Sequence, residues 1–180
     1  LGKSGEKWES SLYLHYQPTE SVKDYRFTGE YDCKLDAKGR LRLPSALLKR
    51  MGSDGNLKFT INRGFEKHLM LYPNDVWEMK TKEINQLNIY ITSHRNAIRY
   101  FYRGATELEL DASERINLPQ SLMEYAGIEK DVVLNTYQNQ IEIWAKEEYE
   151  KMTNNEPERF SELMEEVFKS GHTPLNPNQE

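Results

Sequence analysis

Tyr31, Cys33 and Leu35 alternate with Asp32 and Lys34, a period of two that predicts a half-buried strand. Asp36-Ala-Lys-Gly39 breaks the alternation as a turn: Asp accepts backbone N–H groups at turn starts, and Gly accommodates positive φ. Leu41 and Leu43 then alternate with Arg40 and Arg42, so the segment reads as a β-hairpin with its leucines on one face and its arginines on the other. Pro44 suits the start of a short helix, Ser45 to Met51, which Gly52 caps. The apolar runs 57–61 and 68–72 predict two further strands, and Pro73 opens a helix expected to run to about Ile84.

The same order then returns. Gly29, Leu35, Asp36, Ala37, Arg40, Leu43 and Pro44 recur as Gly104, Leu110, Asp111, Ala112, Arg115, Leu118 and Pro119, each 75 residues further on. The second copy reads as a strand around Thr106, Leu108 and Leu110, a turn from Asp111 to Arg115, and a strand through Ile116 and Leu118. A helix from Pro119 to Ala126 follows, stopped by Gly127, with strands at 132–134 and 141–144. Between the copies, 92–102 carries Ala97, Ile98 and Phe101 at helical spacing and reads as a linking helix. A last helix is expected at 160–168, where Leu163, Met164, Val167 and Phe168 form a stripe best assigned to intramolecular packing. An internal repeat decides architecture before any single motif is weighed. The fold class is α+β, mainly β, with two β-hairpin/helix repeats sharing one barrel-like core and helices at the periphery. The expected division is an N-terminal extension (1–26), repeat 1 (27–91), the linking helix (92–103), repeat 2 (104–150) and an acidic tail (151–180). The extension begins with Leu, and the first methionine is Met51. It is expected to be disordered or an expression remnant, and the last residues are expected to be disordered.

Charge sharpens the picture. The chain of 180 residues has a net charge of −5, but the sign is unevenly distributed. From Cys33 to Arg50 it carries Lys34, Lys38, Arg40, Arg42, Lys49 and Arg50 against Asp36 alone; from Glu142 onward ten Glu outnumber four cations. A basic first repeat and an acidic end suggest an anionic partner for the former. Lys49 and Arg50 suit a helix C-terminus, and Arg95, Arg99 and Arg103 a solvated face or a subunit contact. Trp77, Trp144, Tyr72 and Phe101 read as core or subunit interface. One cysteine, Cys33, excludes an internal disulfide and reads as a small strand side chain. No apolar run approaches the ~20 residues of a membrane span. Catalysis finds little support: His15, His68, His94 and His172 are scattered, with no metal-ligand spacing, no nucleophile beside a base and no Gly-rich phosphate loop. No enzyme activity, metal, cofactor, small-molecule substrate or membrane partner is expected.

Two Asp-x-x-x-Arg turns on matching scaffolds, with Gly29-Glu-Tyr, Asn62-Arg-Gly, Leu71-Tyr-Pro, Tyr125-Ala-Gly and Glu142-Ile-Trp, make the chain similar to the MraZ family of bacterial transcription regulators. The resemblance spans about 27 to 150. It implies tandem SpoVT-AbrB-type domains, a ring-shaped homo-oligomer and a cytoplasmic, nucleoid-associated protein. It also implies binding of double-stranded DNA at repeated boxes upstream of the division and cell-wall gene cluster that holds its own gene, chiefly as a repressor. The family's requirement for the motif arginine carries over to Arg40 and Arg115. A ring-forming scaffold without DNA binding is the alternative, and an enzyme on a related small β-barrel a more distant one.

From the residues, Arg40, Lys38, Arg42 and Lys34 form the candidate DNA surface, with Arg115 assisting or bracing its own turn. Asp36, Gly39 and Asp111 shape the turns. In the second copy Glu114 stands where the first has Gly39, so that turn is expected to differ in shape or carry strain. A ring that repeats a weak basic patch along DNA would add roughly 10²–10⁴-fold in avidity.

Overall fold

A computed structural model of the chain describes residues 23–52, 57–154 and 157–169. The expectations for the far N-terminus and the last residues lie outside them. The first repeat comprises β1 (Phe27–Lys34), β2 (Arg40–Arg42), α1 (Ser45–Met51), β3 (Lys58–Arg63), β4 (His68–Pro73) and α2 (Asn74–Ile84). After α3 (Thr92–Tyr102), the second comprises β5 (Thr106–Glu109), β6 (Arg115–Asn117), α4 (Gln120–Ala126), β7 (Asp131–Gln138) and β8 (Gln140–Ala145). Two helices follow among the described residues, α5 (Lys146–Thr153) and α6 (Pro157–Lys169). The architecture is the expected α+β fold of two repeats. The helix at 146–153 is an addition to the single tail helix expected; only Tyr149 of it is buried, so no apolar period announces it.

The strands form an antiparallel six-stranded sheet in the order β1-β7-β8-β4-β3-β5 and a separate two-stranded ribbon of β2 and β6. The order is a palindrome: β1-β7-β8 mirrors β5-β3-β4 about the β8–β4 ladder, so a pseudo-two-fold axis relates the repeats. The sheet ends at β1 and β5 and does not close into a barrel. One core nonetheless serves both repeats. Leu41, Leu43, Leu47, Phe59 and Ile61 from the first join Ile116, Leu118, Leu122, Leu134 and Ile143 from the second in a single buried cluster.

The predicted hairpins are not formed as hairpins. β1 runs antiparallel along β7, and β2 pairs with β6, while a single bridge, Leu35 to Leu41, joins the two arms of the first turn. A three-residue strand against its own neighbour would bury little; laid across its twin it sets Leu41 opposite Ile116, both fully buried. Residues before Phe27 are tied in as well. The Tyr25 N–H donates to Asn139 Oδ1 at 2.8 Å, and its hydroxyl donates to Asp75 at 2.9 Å.

Candidate nucleic-acid interface

The β2–β6 ribbon lies where the repeats meet, and its alternation decides what it presents. Leu41 and Ile116 point into the core; Arg40, Arg42, Arg115 and Asn117 point out. Arg42 stands opposite Arg115 and Arg40 opposite Asn117. Strand exchange thus gathers three guanidiniums from sequence-distant turns onto one face.

Each turn is held by its aspartate in the same way. Oδ1 of Asp36 accepts the backbone N–H groups of Lys38 (2.9 Å) and Arg40 (3.0 Å), while Oδ2 accepts Nε of Arg40 at 2.7 Å. Oδ1 of Asp111 accepts from Ser113 (2.8 Å) and Arg115 (3.0 Å), and Oδ2 accepts Nε of Arg115 at 2.8 Å. Each arginine also reaches across the pseudo-axis. Arg115 Nη1 lies 3.4 Å from Asp36 Oδ2, and Arg40 Nη1 lies 3.9 Å from Asp111 Oδ2. Both carboxyls are accordingly depressed. The side-chain bond from Arg40, then its backbone N–H, hold Asp36 down to about 2, and Arg115 lowers Asp111. The aspartates are therefore ionised at neutral pH, and the cluster fixes both guanidiniums.

Gly39 and Glu114 share one conformation, with φ +74° and +61°. Each N–H closes its turn onto the aspartate carbonyl at 3.0 Å. The second turn therefore keeps the shape of the first and carries the strain of a non-glycine residue at positive φ. At Gly39 a Cβ would also come within 3.2 Å of Met123.

The chain matches the family model described as "MraZ protein, putative antitoxin-like" over residues 26–99 and 101–170, one match in each half. The chain belongs to the MraZ family. It is 40% identical over 141 residues to "Transcriptional regulator MraZ" of Christiangramia forsetii, covering 78% of this chain and 91% of that protein. It is 38% identical over 141 residues to the protein of the same name from Flavobacterium psychrophilum, covering 78% and 90%. With that of Syntrophomonas wolfei it shares 34% over 145 residues, covering 81% and 99%.

In this MraZ-family chain the candidate cations fall into three settings. Arg40 and Arg115 are half-buried in the carboxylate cluster. Arg42 is 69% exposed, with Nη2 at 3.2 Å from Glu114, and Lys34 at the end of β1 pairs with Asp131 at 3.3 Å. Lys38 is exposed at the tip of the first turn and pairs with no carboxylate among the described residues. Glu114 joins the same surface and neutralises Arg42, a role invisible to local pattern because the two lie 72 residues apart. Elsewhere, Arg50 donates to the carbonyl of Arg26. Cys33 is half-buried, and burial pushes its thiol up, away from reactivity. Tyr72 and Trp144 are core, and Trp77 stacks on Phe101 at 5.0 Å. No group of three or more potential metal ligands lies together among the described residues, and no helix there is long and apolar enough to cross a membrane.

Proposed function

We propose that this chain is a sequence-specific, DNA-binding transcriptional regulator that represses the division and cell-wall gene cluster containing its own gene. It reads repeated promoter boxes as a ring-shaped homo-oligomer at the nucleoid. The observation that carries the reading is the outward face of the β2–β6 ribbon, where Arg40, Arg42 and Arg115 converge from both repeats. A two-stranded antiparallel ribbon fits the major groove, and arginine is the side chain best suited to bidentate contact with guanine or phosphate. The names of the relatives, all transcriptional regulators, support the same reading.

The roles divide by setting. Asp36 and Asp111 hold the guanidiniums of Arg40 and Arg115 at fixed positions, which spares the entropy of ordering them on binding. Arg42 and Lys38, more exposed, supply contacts at the rim, and Lys34 adds charge behind them. Asp36, Asp111, Glu114 and Asp131 pair with Arg40, Arg115, Arg42 and Lys34, so one copy binds weakly. Repetition of the face in a ring makes the sum tight.

The test is fluorescence anisotropy on the DNA upstream of the protein's own gene, across a salt series. Wild type binds with a steep salt dependence. Arg40→Ala and Arg115→Ala each weaken binding by roughly 5- to 150-fold, about 1–3 kcal/mol for a lost bidentate contact. Arg40→Lys fails to restore it, because an ammonium cannot bridge Asp36 and DNA together. Lys38→Ala lowers affinity modestly and reduces the salt slope by about one phosphate contact. Equal affinity for scrambled DNA, or no loss in either arginine variant, overturns the reading.

A further inference from the structure

Asn62, Met70 and Glu142 stand in register on β3, β4 and β8. By alternation they occupy the face of the sheet opposite the core side chains Ile61, Leu71 and Ile143. They line a cavity of about 790 Å³, to which α2 and α3 also contribute. That volume lies in the range of small-ligand sites, about 300–1,000 Å³. No residue of the β2–β6 ribbon lines it, so nothing proposed above uses it. Met70, Tyr72 and Phe101 give it apolar and aromatic surface, and the polar groups around them decide what it can take.

Arg63 is the deciding residue. Its guanidinium lies 4.4 Å from the centroid of the Tyr125 ring, and its Nε is buried with no hydrogen-bond partner. Among the described residues it makes no ion pair, and neither do Lys80 and Arg103 in the same lining. A half-buried guanidinium without a counter-charge is costly, and its fork of N–H donors fits a carboxylate. Three glutamates balance these cations. Glu142 is buried and accepts from the Tyr137 hydroxyl, from Trp144 Nε1 at 2.9 Å and from Asn135 Nδ2 at 3.1 Å. Glu66 lies 3.5 Å from His68 Nδ1, and Glu83 makes no ion pair among the described residues. Asn62 donates its amide to the carbonyl of Phe101 at 2.8 Å, while its Oδ1 is buried and unpartnered. A lining of three cations and three carboxylates repels a phosphate dianion and a polyamine alike; a ligand with one charge of each sign complements it.

We propose that this cavity binds a zwitterionic aminocarboxylate with an aromatic or large aliphatic side chain, as a free amino acid or a short peptide. Its carboxylate sits on Arg63 and Arg103, and its ammonium group faces the glutamates and the unpartnered Asn62 Oδ1. Its side chain lies against Met70, Tyr72 and Phe101, where removal of apolar surface from water adds to the affinity. The site stands independently of DNA contact at the ribbon.

The test is isothermal titration calorimetry on the full chain with phenylalanine, leucine and the dipeptide of the two, beside 3-phenylpropionate, which lacks the ammonium group, and phenethylamine, which lacks the carboxylate. At least one zwitterion binds, and each truncated analogue binds roughly tenfold or more weakly, the loss expected when a charged partner is left unpaired. Tighter binding of the free amino acids or of the dipeptide assigns the source. Arg63→Gln and Arg103→Gln each lower affinity for the zwitterion and leave phenethylamine unaffected. Circular dichroism checks their folding, and Arg103, exposed after α3, keeps the test open if Arg63→Gln does not fold. With methyl-labelled methionine, the Met70 resonance shifts on titration while that of Met51, in the shared core, does not. Phenylpropionate or inorganic phosphate binding as tightly as the zwitterions overturns the inference in favour of an anion site. Phenethylamine binding as tightly overturns it in favour of a cation site. Folded arginine variants that bind like wild type, a Met70 resonance that stays in place, or no heat with any zwitterion at millimolar concentration overturns it outright.

Discussion

Glu114 is the residue at which the two repeats differ in consequence. It holds φ +61° where its counterpart is glycine, and its carboxylate sits 3.2 Å from Arg42 on the face proposed to meet DNA. A side chain in the left-handed region costs roughly 1–2 kcal/mol, and glycine gives back about 0.5–1 kcal/mol in the unfolded chain. The ion pair is too exposed to weigh heavily. Glu114→Gly should therefore leave stability within ~1 kcal/mol of wild type, on the stabilising side, by chemical denaturation. Its effect on binding is larger. With the carboxylate gone, Arg42 is free to face phosphate, and affinity should rise several-fold at low salt, the gain shrinking as salt screens it. Glu114→Gln separates the causes, since it keeps the strained backbone and removes the charge; it should bind like Glu114→Gly without the gain in stability. Weaker binding in both would mean that the carboxylate helps to order Arg42 rather than to mask it. The clamps themselves were legible in the sequence, because Asp36 and Arg40 are four residues apart on one turn. The pairing of Arg42 with Glu114 was not, because chain topology brings it about and no local spacing signals it.

At the scale of elements, what could be read and what could not divide along the same line. The bounds of α3 and the strands β3, β4 and β8 follow from hydrophobic period and from Pro and Gly signals, all local. The partners of β1 and β2 do not. An Asp-x-x-Gly turn between two alternating segments is equally compatible with a hairpin and with two arms that part company. The outcome is decided by a twin segment 75 residues away that completes a ribbon with Leu41 against Ile116. That dependence can be measured. Leu41→Ala and Ile116→Ala each remove a fully buried aliphatic chain and should cost about 2–5 kcal/mol. Because the two side chains touch across the ribbon, the double variant should depart from additivity by about 0.5–3 kcal/mol in a denaturation cycle. Coupling near zero would mean that the ribbon is held from outside, by α1 and α4, rather than by its own cross-strand pair.

For the whole molecule, the palindromic sheet means that neither repeat owns its structure. Of the strand pairings, β3 with β4 and β7 with β8 lie within a repeat; β1 with β7, β2 with β6, β3 with β5 and β4 with β8 all cross between repeats. A fragment ending at 103 would keep one hairpin and leave β1 and β2 without partners. An isolated two-stranded hairpin is marginal in water, and the core residues that repeat 1 contributes would lose the apolar surface of repeat 2 that covers them. Fragments 23–103 and 104–169 should therefore each lack a cooperative thermal transition when expressed alone. Mixed, they should recover one, since all four missing ladders form between them without any covalent link. Recovery should depend on concentration, as for any bimolecular folding reaction. A fragment that melts cooperatively by itself would show a repeat with its own core, and the ribbon would then be a contact between two finished domains. Failure of both alone, with recovery on mixing, would make the arginine face a property of the joined pair: DNA contact would require the same strand exchange that folds the chain, so a destabilised ribbon would lose binding in step with folding.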